Sequence, residues 1–172
     1  MIIGIGGASR SGKTSLAILI KTILENNGQT AIVLGQDDYA FPEESDIPKI
    51  KHRVDWERPE SIDFEWYKKD IFSKQKEYQN VIAEGLFNFY DADINALFDV
   101  NFFTQISKKT FLERKKVDTR WGIEPNWYIE HIWKSYIKYG RTILEDSYAN
   151  VVVLSGESEF NAKWIARILD FK

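Results

Sequence analysis

Eight consecutive residues, Gly7, Ala8, Ser9, Arg10, Ser11, Gly12, Lys13 and Thr14, fit the pattern G-x-x-x-x-G-K-[ST] at every fixed position. This spacing suits a chain of phosphates. Glycines at the two ends of the stretch let successive backbone N–H groups surround the anion, and the positive end of a following helix faces it. Lys13 would reach the β- and γ-phosphates as a point charge, and the Thr14 hydroxyl would ligate Mg²⁺. The pattern requires a strand before it and a helix after it. Both are signalled, by the apolar run from Met1 to Ile5 and by Leu16, Ile20, Ile23 and Leu24 recurring on one helical face. These residues point to a nucleotide and leave the reaction open.

Acids follow at the ends of two further apolar runs. Thr30 to Leu34 leads into Gln36, Asp37, Asp38 and Tyr39, and open α/β sheets bind their ligands at the carboxyl edge of such strands. A solvated turn is the competing reading for these two aspartates. Val81 to Gly85 carries Glu84 at its end, a Walker-B-like position for Mg²⁺ or else a plain strand terminus. The segment Arg53 to Pro59 concentrates charge around Trp56, and spacing does not distinguish a binding loop from a solvated one with Trp56 tucked against the core.

A basic stretch comes next. Lys108, Lys109, Arg114, Lys115, Lys116 and Arg120 fall within 13 positions, with Phe111 and Leu112 anchoring one helical face. The early lysines read as a solvated face, whereas Arg114, Lys116 and Arg120 are assigned to phosphate contact, because phosphoryl transfer needs mobile cations over the γ-phosphate.

These residues must be positioned by alternating elements. The first helix stops at Asn27 and Gly28. Residues 40–59 carry Pro42, Pro48 and Pro59 without periodicity and read as a long irregular connection. A helix is expected from near Ser61 through Phe64, Tyr67 and Ile71, a short one from Ala92 to Leu97, and a fourth strand from Phe98 to Thr104. Trp121 to Asn126 breaks the chain, with Asn126 as expected N-cap. Ile129, Ile132, Trp133, Tyr136, Ile137, Ile143 and Leu144 then share the face of one long helix, followed by a fifth strand from Asn150 to Leu154 and a closing helix through Trp164, Ile165, Ile168 and Leu169. Five strands alternating with helices imply a three-layer α/β/α architecture around a parallel sheet.

Composition excludes other classes. A chain of 172 residues suits one domain over 1–172, and its 44% hydrophobic and 15% aromatic content suffices for one core. No stretch approaches the ~20 apolar residues needed to span a bilayer, so no membrane partner is expected. There is no cysteine and hence no thiolate or disulfide chemistry, and a start on a core strand instead of a signal peptide gives a cytoplasmic expectation. A net charge of −3 offers no footprint for nucleic acid. His52 and His131 have no metal-ligand spacing around them, and no Ser-His-Asp pattern is present.

The P-loop Gly7 to Thr14, the run Gln36 to Tyr39, Asp55 in its Trp-Glu-Arg-Pro-Glu context, Glu84 with Gly85, and the helix His131 to Tyr139 together resemble the nicotinamide riboside kinase branch of the uridine kinase-like P-loop kinases. The resemblance spans nearly the whole chain. It implies a P-loop kinase fold with a small helical lid at about 114–126, ATP and Mg²⁺ as cofactors, and phosphorylation of the 5′-hydroxyl of a small nucleoside, with nicotinamide riboside ahead of uridine or cytidine. It further implies Asp37 as general base and as part of the metal site with Thr14 and Glu84, and Lys13 and Arg120 as catalytic cations. Residues Gly7 to Thr14 with Arg114, Lys116 and Arg120 would bind ATP, and Asp37, Asp38, Tyr39, Asp55 and Trp56 the acceptor. Asp55 is the implied ligand of the ribose hydroxyls, and its acceptance of two hydrogen bonds suits a diol. Lys116 stands where the family often has Arg, and a lysine lacks the bidentate fork. A nucleotide-hydrolysing switch without a small acceptor is the rival from another class, and it has no need of an acid placed for a diol.

Overall fold

A computed structural model of the chain describes residues 1–120, 122–145 and 150–170. Strand β1 (Ile2–Gly7) is buried along its whole length and forms the centre of the molecule. It is followed by α1 (Lys13–Asn26), β2 (Ala31–Gly35), the two-residue strands β3 (Lys49–Ile50) and β4 (Arg53–Val54), and α2 (Phe64–Glu77). Then come β5 (Asn80–Glu84), α3 (Ala92–Asn95), β6 (Val100–Gln105), α4 (Lys108–Lys116), α5 (Asn126–Ser135), α6 (Thr142–Glu145), β7 (Val151–Ser155) and α7 (Ala162–Ile168). The main sheet is five-stranded in the order β2-β5-β1-β6-β7, and all its pairings are parallel. The expected five-stranded α/β/α architecture is present.

Side chains of a strand alternate between its faces, and this alternation builds the layers. Ile3 and Ile5 pack with Leu16, Ile20 and Leu24 of α1 and Ile165 of α7. Ile2 faces the other way, toward Tyr67 and Ile71 of α2, and farther along that face Phe103 of β6 meets Ile129 and Ile132 of α5. Because β1 and β2 are separated by β5, the carboxyl ends of β1, β5 and β2 open side by side, bringing the P-loop, Glu84 and Gln36 to Tyr39 to one edge.

Three expectations at element ends change. The helix anticipated near Ser61 starts at Phe64, where the Asp63 side chain accepts a hydrogen bond from the Trp66 N–H, and Ser61 lies in a 3₁₀ turn before it. Asn126 is the first residue of α5 and Pro125 takes the cap position without a side-chain bond. The single long helix through Leu144 is interrupted by a π-helical turn, Tyr136–Gly140, which rotates the apolar face so that Ile137 is 40% exposed while Tyr136 and Ile143 remain buried. Within the long connection, β3 and β4 form an antiparallel hairpin too short to leave any periodicity in the sequence. The lid region, about 114–126, comprises the last turn of α4, a connecting segment and the start of α5; Trp121 lies outside the described residues. Among the described residues no helix is long and apolar enough to cross a membrane.

Candidate active site

The loop between β1 and α1 has the backbone its residues require. Gly12 caps α1 with a φ of 95°, in the left-handed region, and a side chain at Gly7, where φ is 146°, would run into Thr104. Ser11 is fully buried, and its Oγ lies 2.5 Å from Thr104 Oγ1, which fastens the loop to β6. Lys13 Nζ folds back to donate to the Ala8 carbonyl at 3.1 Å, and Thr14 Oγ1 donates to Glu84 Oε1 at 2.6 Å. From the lid side, Arg114 Nη1 donates to the Arg10 carbonyl at 2.8 Å, so the basic helix already meets the loop.

A cavity of about 600 Å³ extends from this loop. Its lining includes Ser9, Lys13 and Asp37 together with Arg53, Trp56, Glu57 and Tyr128. Lys115 and Glu124 also line it. Lys13 and the exposed Asp37 carboxylate therefore share one cavity with aromatic and acidic side chains. A second cavity, about 450 Å³ between α5, the π turn and β7, contains no P-loop residue.

Several residues singled out from the sequence do not line this cavity. Asp55 is 3% exposed and does not border the cavity; its Oδ1 lies 2.7 Å from His131 Nε2 and also accepts from the Glu57 N–H at 3.2 Å. The carboxylate that this segment presents to the cavity is Glu57, two residues on. Tyr39 is likewise turned into the core, packed on Trp66 and Tyr67 and donating to Asp70 Oδ2 at 2.6 Å, and Asp38 is exposed outside the cavity wall. On α4 the cavity-facing cation is Lys115, not Lys116, which is exposed to solvent. Lys115 sits four residues after the buried Phe111 and so shares its inward face, a signal the sequence did contain.

The charges are closely coupled. Lys115 Nζ lies 2.6 Å from Glu124 Oε2 and 3.9 Å from Asp118 Oδ2, with its side chain only 4% exposed. Arg120 grips Asp118 with two parallel bonds, Nε to Oδ1 at 2.9 Å and Nη2 to Oδ2 at 2.8 Å. That fork, with Arg10 nearby, holds the Asp118 carboxyl well below the usual carboxylate range against the opposing effect of burial. Glu57 moves the opposite way. Burial pushes it up to about 8, the nearby Lys115 counteracts, and the charges of Asp37, Glu124 and Asp55 add to the rise. The Tyr128 hydroxyl is raised by burial and by the charges of Glu57, Asp55 and Glu124.

The donor set fits a nucleotide with Mg²⁺. Mg²⁺ binds through one or two protein oxygens plus waters and phosphates, so the Thr14 and Glu84 pair is of the right kind, and among the described residues no cluster of three or more His, Cys, Asp or Glu forms a full protein cage.

No family model matches the chain. Nicotinamide riboside kinase 1 from Homo sapiens is 27% identical over an alignment covering 90% of this chain and 83% of that protein. A uridine kinase from Leuconostoc citreum is 26% identical, covering 69% of this chain and 68% of its own length. Among solved structures, a possible uridine kinase from Bacillus stearothermophilus superposes with a TM-score of 0.59 at 20% identity, covering 90% of this chain and 88% of that one. The chain has the three-layer P-loop kinase fold and resembles the nicotinamide riboside kinases and uridine kinase-like P-loop kinases over most of its length.

Proposed function

We propose that this protein transfers the γ-phosphoryl group of ATP to the 5′-hydroxyl of a ribonucleoside, with nicotinamide riboside as the favoured acceptor and uridine or cytidine next. The observation that carries this reading is the shared cavity, in which Lys13 and Asp37 open onto a compartment walled by Trp56, Glu57 and Tyr128. The phosphates of ATP lie in the Gly7 to Thr14 loop, where backbone N–H groups and Lys13 neutralise them. Arg114 and Arg120 supply lid cations once ATP draws Arg120 from Asp118. Thr14 and Glu84, with Asp37 on the same sheet edge, would hold Mg²⁺, which would supply neutralisation of phosphate charge. Asp37 orients the acceptor hydroxyl and takes its proton; the oxygen bonds to the γ-phosphorus as the bond to the β-phosphate bridging oxygen breaks, and ADP leaves.

Glu57, in place of Asp55, is the acid for the ribose diol, since it alone of the two borders the cavity. The half-exposed Trp56 ring, which borders the cavity, also suits a flat cationic base, and the pyridinium of nicotinamide riboside is one, whereas uracil is neutral. The test is a coupled ADP-release screen over nicotinamide riboside, uridine, cytidine, adenosine and pantothenate. Acceptor-dependent release with nicotinamide riboside leading supports the reading. Leading turnover with uridine or cytidine moves the base specificity, and ATP turnover indifferent to every acceptor makes the protein a nucleotide-hydrolysing switch.

A further inference from the structure

The cavity-facing residues Trp56 and Glu57 sit on a short turn with no regular structure of its own, so something else must hold them. That support comes from α5. His131 Nε2 meets Asp55 Oδ1 at 2.7 Å, and four residues later the buried Ser135 Oγ donates to the Glu57 carbonyl. His131 and Ser135 therefore lie on one face of α5, with Tyr128, which borders the cavity, one turn earlier on the same face. The hairpin leading into the turn rests on this helix too: Lys51 Nζ stands 3.9 Å from the Trp127 ring centre, and the Arg53 guanidinium 5.0 Å from that of Tyr128.

Asp55 is the junction of these contacts. Its N–H donates to the Pro48 carbonyl at 2.7 Å, closing the base of the hairpin, and its Oδ1 accepts from the N–H of Glu57, two residues on, which fixes the peptide that presents Glu57. A carboxylate accepts and does not donate, so the imidazole carries its proton on Nε2. Neither Asp55 nor His131 borders the cavity.

We propose that Asp55 and His131 form a positioning pair that locks the Trp56 and Glu57 turn onto α5 and thereby sets acceptor affinity without touching the acceptor. This rests on the reading of that compartment as the acceptor site. Small misplacements of a binding group are costly, and loss of the pair frees the turn without altering the P-loop, so the effect falls on one substrate only.

The experiment combines steady-state kinetics with amide hydrogen exchange on the full chain, using His131→Ala, His131→Gln, Asp55→Ala and the double alanine variant. His131→Ala and Asp55→Ala are each expected to raise the acceptor KM by about tenfold, with kcat and the KM for ATP within about twofold of wild type. His131→Gln, which keeps a donor near the ε position, should restore most of the loss. The double variant should be no worse than the worse single one, because both remove the same contact. Amides of residues 53–61 should exchange faster in both single variants while those of α1 do not. A raised KM with Asp55→Ala but not with His131→Ala would make Asp55 a direct acceptor ligand and overturn the proposal. Faster exchange throughout the chain, or an equal rise in the KM for ATP, would reduce the pair to general stability. If the wild-type protein phosphorylates no nucleoside, the acceptor reading fails, and exchange still decides the pair: unchanged protection over 53–61 in both variants overturns it.

Discussion

The two ends of the cavity are built differently. The proposed donor end is one continuous loop, Gly7 to Thr14, held by a buried central strand before it and a well-packed helix after it. The proposed acceptor end is assembled from Trp56 and Glu57, Lys115 in the last turn of α4, Glu124 and Tyr128, which come from separate segments of the chain. In the first, each residue type answers a local demand, such as the left-handed φ of Gly12. In the second, neighbours in sequence have opposite fates: Asp55 is buried and Glu57 faces the cavity, Lys115 is buried and Lys116 is exposed. Local chemistry therefore suffices to recognise a phosphate site, whereas an acceptor site depends on which side of a turn or helix meets the rest of the fold.

The contrast can be broken most severely at the donor end. Lys13→Ala is expected to lower phosphoryl transfer by ~10³-fold or more, since it removes a cation from the transferring group. Among the described residues its ammonium donates to the Ala8 carbonyl alone, so the thermal midpoint should fall by no more than about 4 °C. Near-normal turnover would remove the loop from the mechanism. Where the two ends meet, Asp37→Asn should cut kcat by ~10²–10⁴-fold, the range for a positioned acid-base group, with ATP affinity nearly unchanged. Calorimetric titration of ATP alongside single-turnover kinetics separates the two quantities, and a matching loss of ATP affinity would make Asp37 part of the donor end only.

The lid offers a smaller effect with an internal control. Arg120→Ala should lower kcat by ~10²-fold, more than it changes the nucleoside KM. Lys116→Ala should stay within about twofold of wild type, because its side chain points to solvent. Equal losses in the two would mean that the lid rearranges enough to exchange the faces of α4.

The mildest change sharpens the acceptor end. Above about pH 8, where its carboxyl is ionised, Glu57→Gln should raise the acceptor KM by ~10–150-fold, the equivalent of one charged hydrogen bond, and leave the KM for ATP in place. Its carboxyl is raised from 4.5 to about 8. Because the folded value lies above the unfolded one, the folded state holds the extra proton between them; the stability this group contributes is fully present below about pH 4.5 and is lost as pH rises toward about 8. The glutamine variant carries no such proton, so thermal unfolding across this window should show it gaining on wild type as pH rises. Acceptor binding by wild type should tighten as pH rises through about 8, as the ionised form accepts the diol's hydrogen bonds, and the variant's profile should be flatter. A wild-type acceptor KM that does not move with pH would detach Glu57 from the acceptor.

The difference between the two ends also explains what could be read in advance. All five main strands were legible as apolar runs, and buried parallel strands leave that signal wherever they occur. The hairpin of β3 and β4 was not, since two residues per strand carry no period, and the π turn at Tyr136–Gly140 was hidden because Ile137, Ile143 and Leu144 continue an apparently helical spacing. Lys115 was recoverable from its distance to Phe111, but a run of like charges disguised it as part of a solvated face.

By itself, the amino-acid sequence determined the phosphate loop, the alternation of strands and helices and the resemblance to nucleoside-type kinases, because glycine positions, apolar periods and short motifs act over a few residues. Only the tertiary structure decided that Glu57 and Lys115 face the cavity, that Asp55 belongs to His131, and that Tyr39 lies in the core. Those outcomes depend on where α5 and α2 dock, and docking is settled by the packing of whole faces of the sheet, which no window of neighbouring residues contains.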